Sequence, residues 1–380
     1  MLSKSQFIRG LQCHKSLWLL RNRPEFRDKP DAAQQALFDT GHTVGSLACQ
    51  LFPGGLEIEF DSKNFDGMMA QTRQLIDEGV EVIYEAAFKE NGIFAMADIL
   101  VKNGDAWDVY EVKASTGVKD YHLNDASVQW YALSNVLDLN RIAIVHINNQ
   151  YVRQGELDVH QLFHIEDVTE TVLERLDNVP DLIDSMETML KGDEPKMEIG
   201  VHCDDPHSCD FKGHCWKAVP NPSVFNLYWM NAAKKFDLYH RGIVHYQDIP
   251  AEEPLSTIQR IQVETALSGQ AISQPEVVEG FLQSLDYPIH FFDFETFMEG
   301  IPRFDGQRPY MQMPFQYSLH ILYENGELEH KEYLGDELSD PRPDLVIQML
   351  KDMQSQGSIV AYNQSFEISR IRELAKFYPE

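Results

Sequence analysis

IFAMADILVKNGDAWDVYEVKAS, residues 93–115, reads as two β-strands joined by a tight turn. Asn103-Gly104 is the strongest short hairpin signal in the chain, because both central residues of a type I′ turn need positive φ. With these two as the loop, Lys102 faces Asp105, Leu100 faces Trp107 and Asp98 faces Val109. Glu111 and Lys113 lie two and four residues beyond Val109, so period-two alternation sets Asp98, Glu111 and Lys113 on one face. A three-residue loop would break that parity. Two acids sharing a face repel unless a cation neutralises them, and hard oxygen donors suit Mg2+ or Mn2+. Such an ion acidifies bound water and stabilises charge at phosphorus, with Lys113 placing the water or offsetting phosphate charge. The competing reading is an exposed hairpin face with an ordinary cross-strand Lys–Glu pair.

Around this hairpin the chain alternates helices and strands. Ser3 caps a first helix with Phe7, Leu11, Trp18 and Leu19 at helical spacing, ending near Pro24. A second helix runs from about Asp31 to Leu51, before the PGG turn at Pro53 to Gly55, and a third from about Phe65 to Glu78. The strands VEVIYEAAF, IFAMADILV and AWDVYEVKA are followed by the helix ASVQWYALSNVL, the strand RIAIVHI and a helix over Val168 to Lys191. The fold class expected is α/β. Three segments are expected: 1–219, 220–287 as a helical linker after the break at Pro220 and Pro222, and 288–380, where strand patterns resume.

At 380 residues the chain exceeds the usual single domain. Its 43% hydrophobic and 24% charged content is that of a globular protein. No apolar run reaches the roughly 18 residues of a membrane span. The N-terminus lacks the continuous apolar stretch of a secretory signal, so a cytoplasmic protein with no membrane partner is expected. The net charge of −28 argues against indiscriminate binding to nucleic acid, yet does not exclude a local basic surface. Lys4, Arg9, Lys15, Arg21, Arg23, Arg27 and Lys29 face only Glu25 and Asp28 among acids over the first 29 residues. This segment is the expected phosphate-facing surface, against the plainer reading of a solvated basic face.

The pattern Asp-x12-Glu-x-Lys on a hairpin, followed by Gln129 and Tyr131 on the next helix, resembles the active site of PD-(D/E)xK nucleases of the RecB branch. The resemblance implies a restriction-endonuclease-like core in which Asp98 and Glu111 bind the metal and Lys113 is catalytic. Gln129 and Tyr131 would touch the site or DNA. An upstream helix usually adds a further metal ligand; His42 is that residue here, with Glu85 as the alternative.

Five cysteines, odd in number and three of them clustered, point to metal in a reducing compartment rather than to disulfides. RecB-branch nucleases often hold a [4Fe-4S] cluster through one upstream and three downstream cysteines. The resemblance assigns Cys13, in the first helix, with Cys203, Cys209 and Cys215 to that role, clasping the N-terminal helix to the end of the domain. The C-x5-C-x5-C spacing departs from the family's usual C-x2-C-x5-C. Zinc held by Cys203, Cys209 and Cys215 with His202, His207, His214 or Cys13 is the rival, although structural zinc sites usually pair ligands at closer spacing. Cys49 is left over as a small apolar residue on a helix.

In IHFFDFETF, Asp293 and Glu295 share one face of an otherwise apolar strand. The order strand, hairpin, helix, strand, helix that follows resembles the RNase H-like fold of DEDD 3′ to 5′ exonucleases. There the DxE pair binds metal with an acid on a later helix, and Asn363 and Glu367 match that second motif, with Glu where Asp is usual. A last acid would lie beyond Glu380, so this domain is expected to be incomplete, a fragment or a scaffold. The whole resembles a bacterial family joining a RecB-like nuclease with an iron–sulfur cluster to an RNase H-like domain. It implies a Mg2+- or Mn2+-dependent nuclease acting on DNA single strands or ends. RNA as substrate, or a nucleic-acid-binding scaffold without activity, are the alternatives.

Overall fold

The computed structural model describes residues 1–379. The chain is mixed α/β and divides into two compact units, Met1–Ile147 with Phe163–Ile272, and Asn148–Leu162 with Ser273–Glu380. This differs from the three segments read from sequence. Up to Ile272 the expected linker belongs to the first unit. Its Phe225 and Phe236 pack edge-on against Trp216, beside buried Cys203 and Ile199. The excursion at 148–162 belongs to the second unit, where the Arg153 amide donates to the Gln307 carbonyl.

The first unit is built on a mixed sheet of β1 (Leu2–Ser3), β2 (Leu56–Glu57), β3 (Val82–Glu90), β4 (Ile93–Asn103), β5 (Ala106–Lys113), β6 (Leu139–Ile147) and β7 (Phe163–Asp167). Strands β2 to β7 lie in chain order and β1 pairs with the start of β4. β3, β4 and β5 form an antiparallel meander, whereas β6 runs parallel to β5 and β7 antiparallel to β6. The parallel step needs a crossover, supplied by α5 (Asp120–Leu133). Ile83, Leu100, Val109 and Ile142 are neighbours across four strands and are wholly buried.

The hairpin turn is Gly104-Asp105, one residue later than expected, with Asn103 paired to Ala106 and Lys102 to Trp107. Only Gly104 has positive φ, +62°, as the first loop position of a type II′ turn needs. This register lets the Lys102 ammonium sit 4.9 Å from the Trp107 ring centre. The Asn103 amide nitrogen also reaches both Asp108 oxygens, at 3.2 and 3.3 Å. The slip changes each pairing by two residues, so parity survives and continuing the register brings Asp98 opposite Glu111.

The expected first helix is two, α1 (Lys4–Gln12) and α2 (His14–Asn22), separated at Cys13, whose φ of −162° is extended. Ser3 caps α1 through a reciprocal bond pair with Gln6, as its position predicts. The two further helices of this region are α3 (Ala32–Ala48) and α4 (Phe65–Asp77). The helix read over Val168–Lys191 is also broken, into Thr169–Leu173, a short 3-10 turn, and Val179–Lys191.

The second unit carries a four-stranded mixed sheet of β8 (Ile289–Phe297), β9 (Met313–Leu322), β10 (Leu328–Leu334) and β11 (Ser358–Val360), in the order β10-β9-β8-β11. β9 and β10 are joined through Asn325-Gly326, where Gly326 takes φ +84°. Phe292, Phe294, Tyr317 and Leu319 pack with Leu345 of the helix Arg342–Asp352 and Leu374 of the helix Gln364–Phe377. No helix among the described residues is long and apolar enough to cross a membrane.

Candidate active site and cysteine cluster

The β4–β5 ladder stops at Ile99–Tyr110. Beyond it the Val112 amide donates to the Asp98 carboxylate at 2.6 Å. On the other side of β4 the β3 register runs through Tyr84–Ile99 and Ala86–Ala97 but skips Glu85 and Asp98. The skip has a backbone cause: Glu85 sits at φ +55°, in the left-handed region that L-residues avoid. Glu85, Asp98 and Glu111 thus stand side by side on three adjacent strands, two residues along from the buried Ile83–Leu100–Val109 row.

The electrostatics follow from this crowding. Burial, with Glu111 adding and the Lys4 ammonium opposing, pushes Asp98 up to about 8. Burial likewise pushes Glu85 up to about 7, against the pull of Lys4 and with Glu111 and Glu57 adding. Glu111 goes the other way. Burial would raise it, but Lys113 and Lys4 outweigh that and hold it well below the usual carboxylate range. Lys113 Nζ donates to Glu111 Oε1 at 2.7 Å and also to Asp125 of α5. Lys4 Nζ donates to both Glu111 oxygens, at 2.8 and 2.9 Å. Burial would lower both ammonium groups, yet the surrounding acids, Asp125 and Glu111 foremost, raise them, so both stay charged.

Glu85, Asp98, His42, Glu57 and Cys49 line one cleft between α3 and the sheet. The α3 end of this cleft is fixed by Tyr84, whose hydroxyl reaches the Cys49 and Phe52 carbonyls at 3.1 and 2.6 Å. The PGG turn admits this contact, since a Cβ on Gly55 would run into the Tyr84 ring. His42 and Glu85, read as alternatives, therefore share one cleft. Cys49, read as an apolar helix residue, lies there too, its thiol pushed up to about 11 by burial and by Glu57 and Glu85.

Gln129 and Tyr131 are placed differently from the role the resemblance gave them. Gln129 is wholly buried and donates to the Met96 carbonyl at 2.7 Å, tying α5 to β4. Tyr131 packs on the core of the first unit. Sequence reasoning missed Asp125, which carries no motif. It also read Lys4 only as part of a basic surface. Of the seven basic residues in that segment, Lys4, Arg9, Lys15, Arg23 and Arg27 pair with acids of this chain, which removes most of the expected phosphate-facing surface.

Cys13, Cys203, Cys209 and Cys215 line a single pocket, and all are free thiols. Burial raises the Cys13 thiol, the Ser16 amide opposing, and the neighbouring Cys209 and Cys203 raise it further. Burial pushes Cys215 up to about 11, Lys15 opposing and the other three cysteines adding. Thiols this crowded suit a cation that holds them as thiolates. The arrangement is braced across the chain by Gln12, which donates to the His202 and His207 carbonyls at 2.8 and 2.7 Å, and by Arg9 and Arg27 on Asp210. His202 lines the pocket, whereas His214 stacks on Phe26 and His207 meets Tyr121 edge-on.

In the second unit Asp293 and Glu295 point to the exposed face of β8, while Phe292 and Phe294 face the core. β8 is an interior strand, so the acids are exposed without being on an edge. Glu367 is buried and pushed up to about 7 by burial and then by Asp293, with Glu295 contributing. Its Oε2 has no hydrogen-bond partner. The three acids therefore adjoin one another, and Asn363 is an exposed residue at the start of the same helix.

A family described as Domain of unknown function (DUF2779) matches residues 290–380. No curated protein matches the chain.

Proposed function

We propose that this protein is a metal-dependent nuclease that hydrolyses phosphodiester bonds of DNA, at single strands or ends. The observation that carries the reading is the row Glu85–Asp98–Glu111 beside Lys113, with backbone strain stored at Glu85. Strain of this kind, on the order of 1–3 kcal/mol, persists where the surroundings enforce it, and clusters at functional sites. An antiparallel meander followed by a helix and a parallel strand, with the acids where β4 and β5 part, also suits a restriction-endonuclease-like core. The second unit's sheet order and its Asp293, Glu295 and Glu367 support an RNase H-like domain in the same way.

The donor set fits a hard divalent ion: three carboxylates crowd together, and burial with their mutual repulsion raises the proton affinity of Glu85 and Asp98, a cost that a cation would offset. Asp98, Glu111 and Glu85 or His42 would hold Mg2+ or Mn2+. When bound, that ion supplies charge stabilisation at phosphorus and an acidified water. Lys113 holds its ammonium against Glu111 and Asp125, with the proton secure, so its part is to orient water and offset phosphate charge rather than to act as a base. Asp125 and Lys4 fix that geometry. The four cysteines suit a [4Fe-4S] cluster that clasps the N-terminal helices to the segment around Cys203–Cys215, with His202 the remaining rival ligand for zinc.

The test is degradation of end-labelled single- and double-stranded DNA, and of RNA, with Mg2+ or Mn2+, by the wild-type chain and by Lys113→Ala. Cleavage that needs metal and is lost in Lys113→Ala supports the reading. Binding without cleavage by either protein supports the scaffold instead.

A further inference from the structure

β6 and β7 bring together a second set of metal-ligating side chains outside the acid row. His146 and His164 are cross-strand partners, with ring centres 5.2 Å apart, and Glu166 pairs with Ile144 on the same face. Donor atoms of His146, His164 and Glu166 lie within 4.8 Å of one another. We propose that these three residues form a Zn2+ site that pins the last strand of the sheet, β7, to β6.

The tautomer of His146 carries the argument. Its Nδ1 lies 3.3 Å from the Ile147 carbonyl, which can only accept, so Nδ1 holds the proton. In the neutral ring Nε2 then offers a lone pair, and this nitrogen is buried without a hydrogen-bond partner in a side chain that is 6% exposed. That lone pair faces Glu166 Oε2 at 3.5 Å. Glu166 approaches this buried nitrogen from the exposed side of β7, and a cation held between the two satisfies both as ligands. The same Nδ1–carbonyl contact is the outer bond that fixes ring orientation in many metal-bound histidines.

Two imidazoles and one carboxylate select zinc over Mg2+ or Ca2+ and leave a fourth position for water. Tetrahedral bonds of about 2.0–2.2 Å set ligand atoms roughly 3.3–3.6 Å apart, a separation that His146 Nε2 and Glu166 Oε2 already have at 3.5 Å, so only small side-chain adjustments complete the set. His164 and Glu166 are exposed and can swing to do so, while His146 stays fixed. Zinc held here would staple the outer strand β7 to the interior and cover an otherwise unpaired buried nitrogen.

The site is distinct from the cysteines, so the readout must resolve it. The experiment follows the ring nitrogen resonances of histidine-labelled full-length protein during Zn2+ addition, in wild type, His164→Asn and Glu166→Gln, both changes lying at exposed positions. The expected result is that His146 Nε2 and one His164 nitrogen shift together at one equivalent, that His164→Asn abolishes the His146 shift, and that Glu166→Gln weakens it at least about tenfold. Unmoved His146 resonances in excess Zn2+, equal shifts in all three proteins, or a proton on Nε2 that Zn2+ does not displace would each overturn the proposal.

Discussion

The Val112 amide donates to Asp98 at 2.6 Å at the point where the β4–β5 ladder would otherwise continue. A side chain has replaced a strand carbonyl, so the strands separate and Asp98 is anchored by one oxygen with the other left for a ligand. Asp98→Asn keeps an acceptor for this amide and replaces a crowded carboxyl by a side chain that cannot ionise, so it should fold at least as stably as wild type. Asp98→Ala strands the amide and should lose about 1–3 kcal/mol. Urea unfolding of the three metal-free proteins compares them; equal loss in both variants would show that the bond has no structural role.

Glu85 sits at φ +55°, which glycine adopts freely. Glu85→Gly should therefore stabilise the metal-free protein, by roughly 1 kcal/mol from relieved strain alone, while weakening divalent-metal binding. A lower unfolding midpoint in the variant would mean that the side chain supports the fold rather than a ligand.

The raised acids set a pH dependence. Asp98, at about 8, and Glu85, at about 7, bind their protons more tightly folded than unfolded. Their contribution to stability is complete below the ordinary carboxylate range and is lost as pH rises through those values. Glu111, held low, stays ionised throughout and does not offset the loss. Metal-free protein should thus melt at lower temperature at pH 8 than at pH 6, and Mn2+ should raise the melting temperature more at pH 8, since ligation requires the carboxylates. A Mn2+ effect independent of pH across this range would place the ion elsewhere.

The cysteine pocket predicts a brown, anaerobically purified protein with about four irons per chain. Cys13→Ala should reduce the iron and loosen α1 and α2 from the segment around Asp210, read as faster proteolysis there. A colourless protein with one zinc would replace the cluster by zinc, without touching the acid row.

Much of this was legible in the sequence, because parity is robust. Asn103-Gly104 misplaced the loop by one residue, yet the error moved each pairing by two, and Asp98, Glu111 and Lys113 kept their face. The grouping of Cys13 with Cys203, Cys209 and Cys215 was an expectation of the resemblance; the four share one pocket, and Cys13 lies at a helix break and not within a helix. Glu85 and His42 could be named but not joined, since their meeting depends on a positive φ and on the Gly55–Tyr84 contact. Lys4, Asp125 and the membership of 148–162 in the second unit left no local signal. Each arises from packing between residues far apart in the chain.

The most direct test is Mn2+ binding to the full chain, followed by calorimetry or electron paramagnetic resonance, in wild type and Asp98→Asn. The account predicts saturable binding by the wild type that falls at least about tenfold in the variant while its fold is retained. Equal Mn2+ affinity in the two proteins would contradict it.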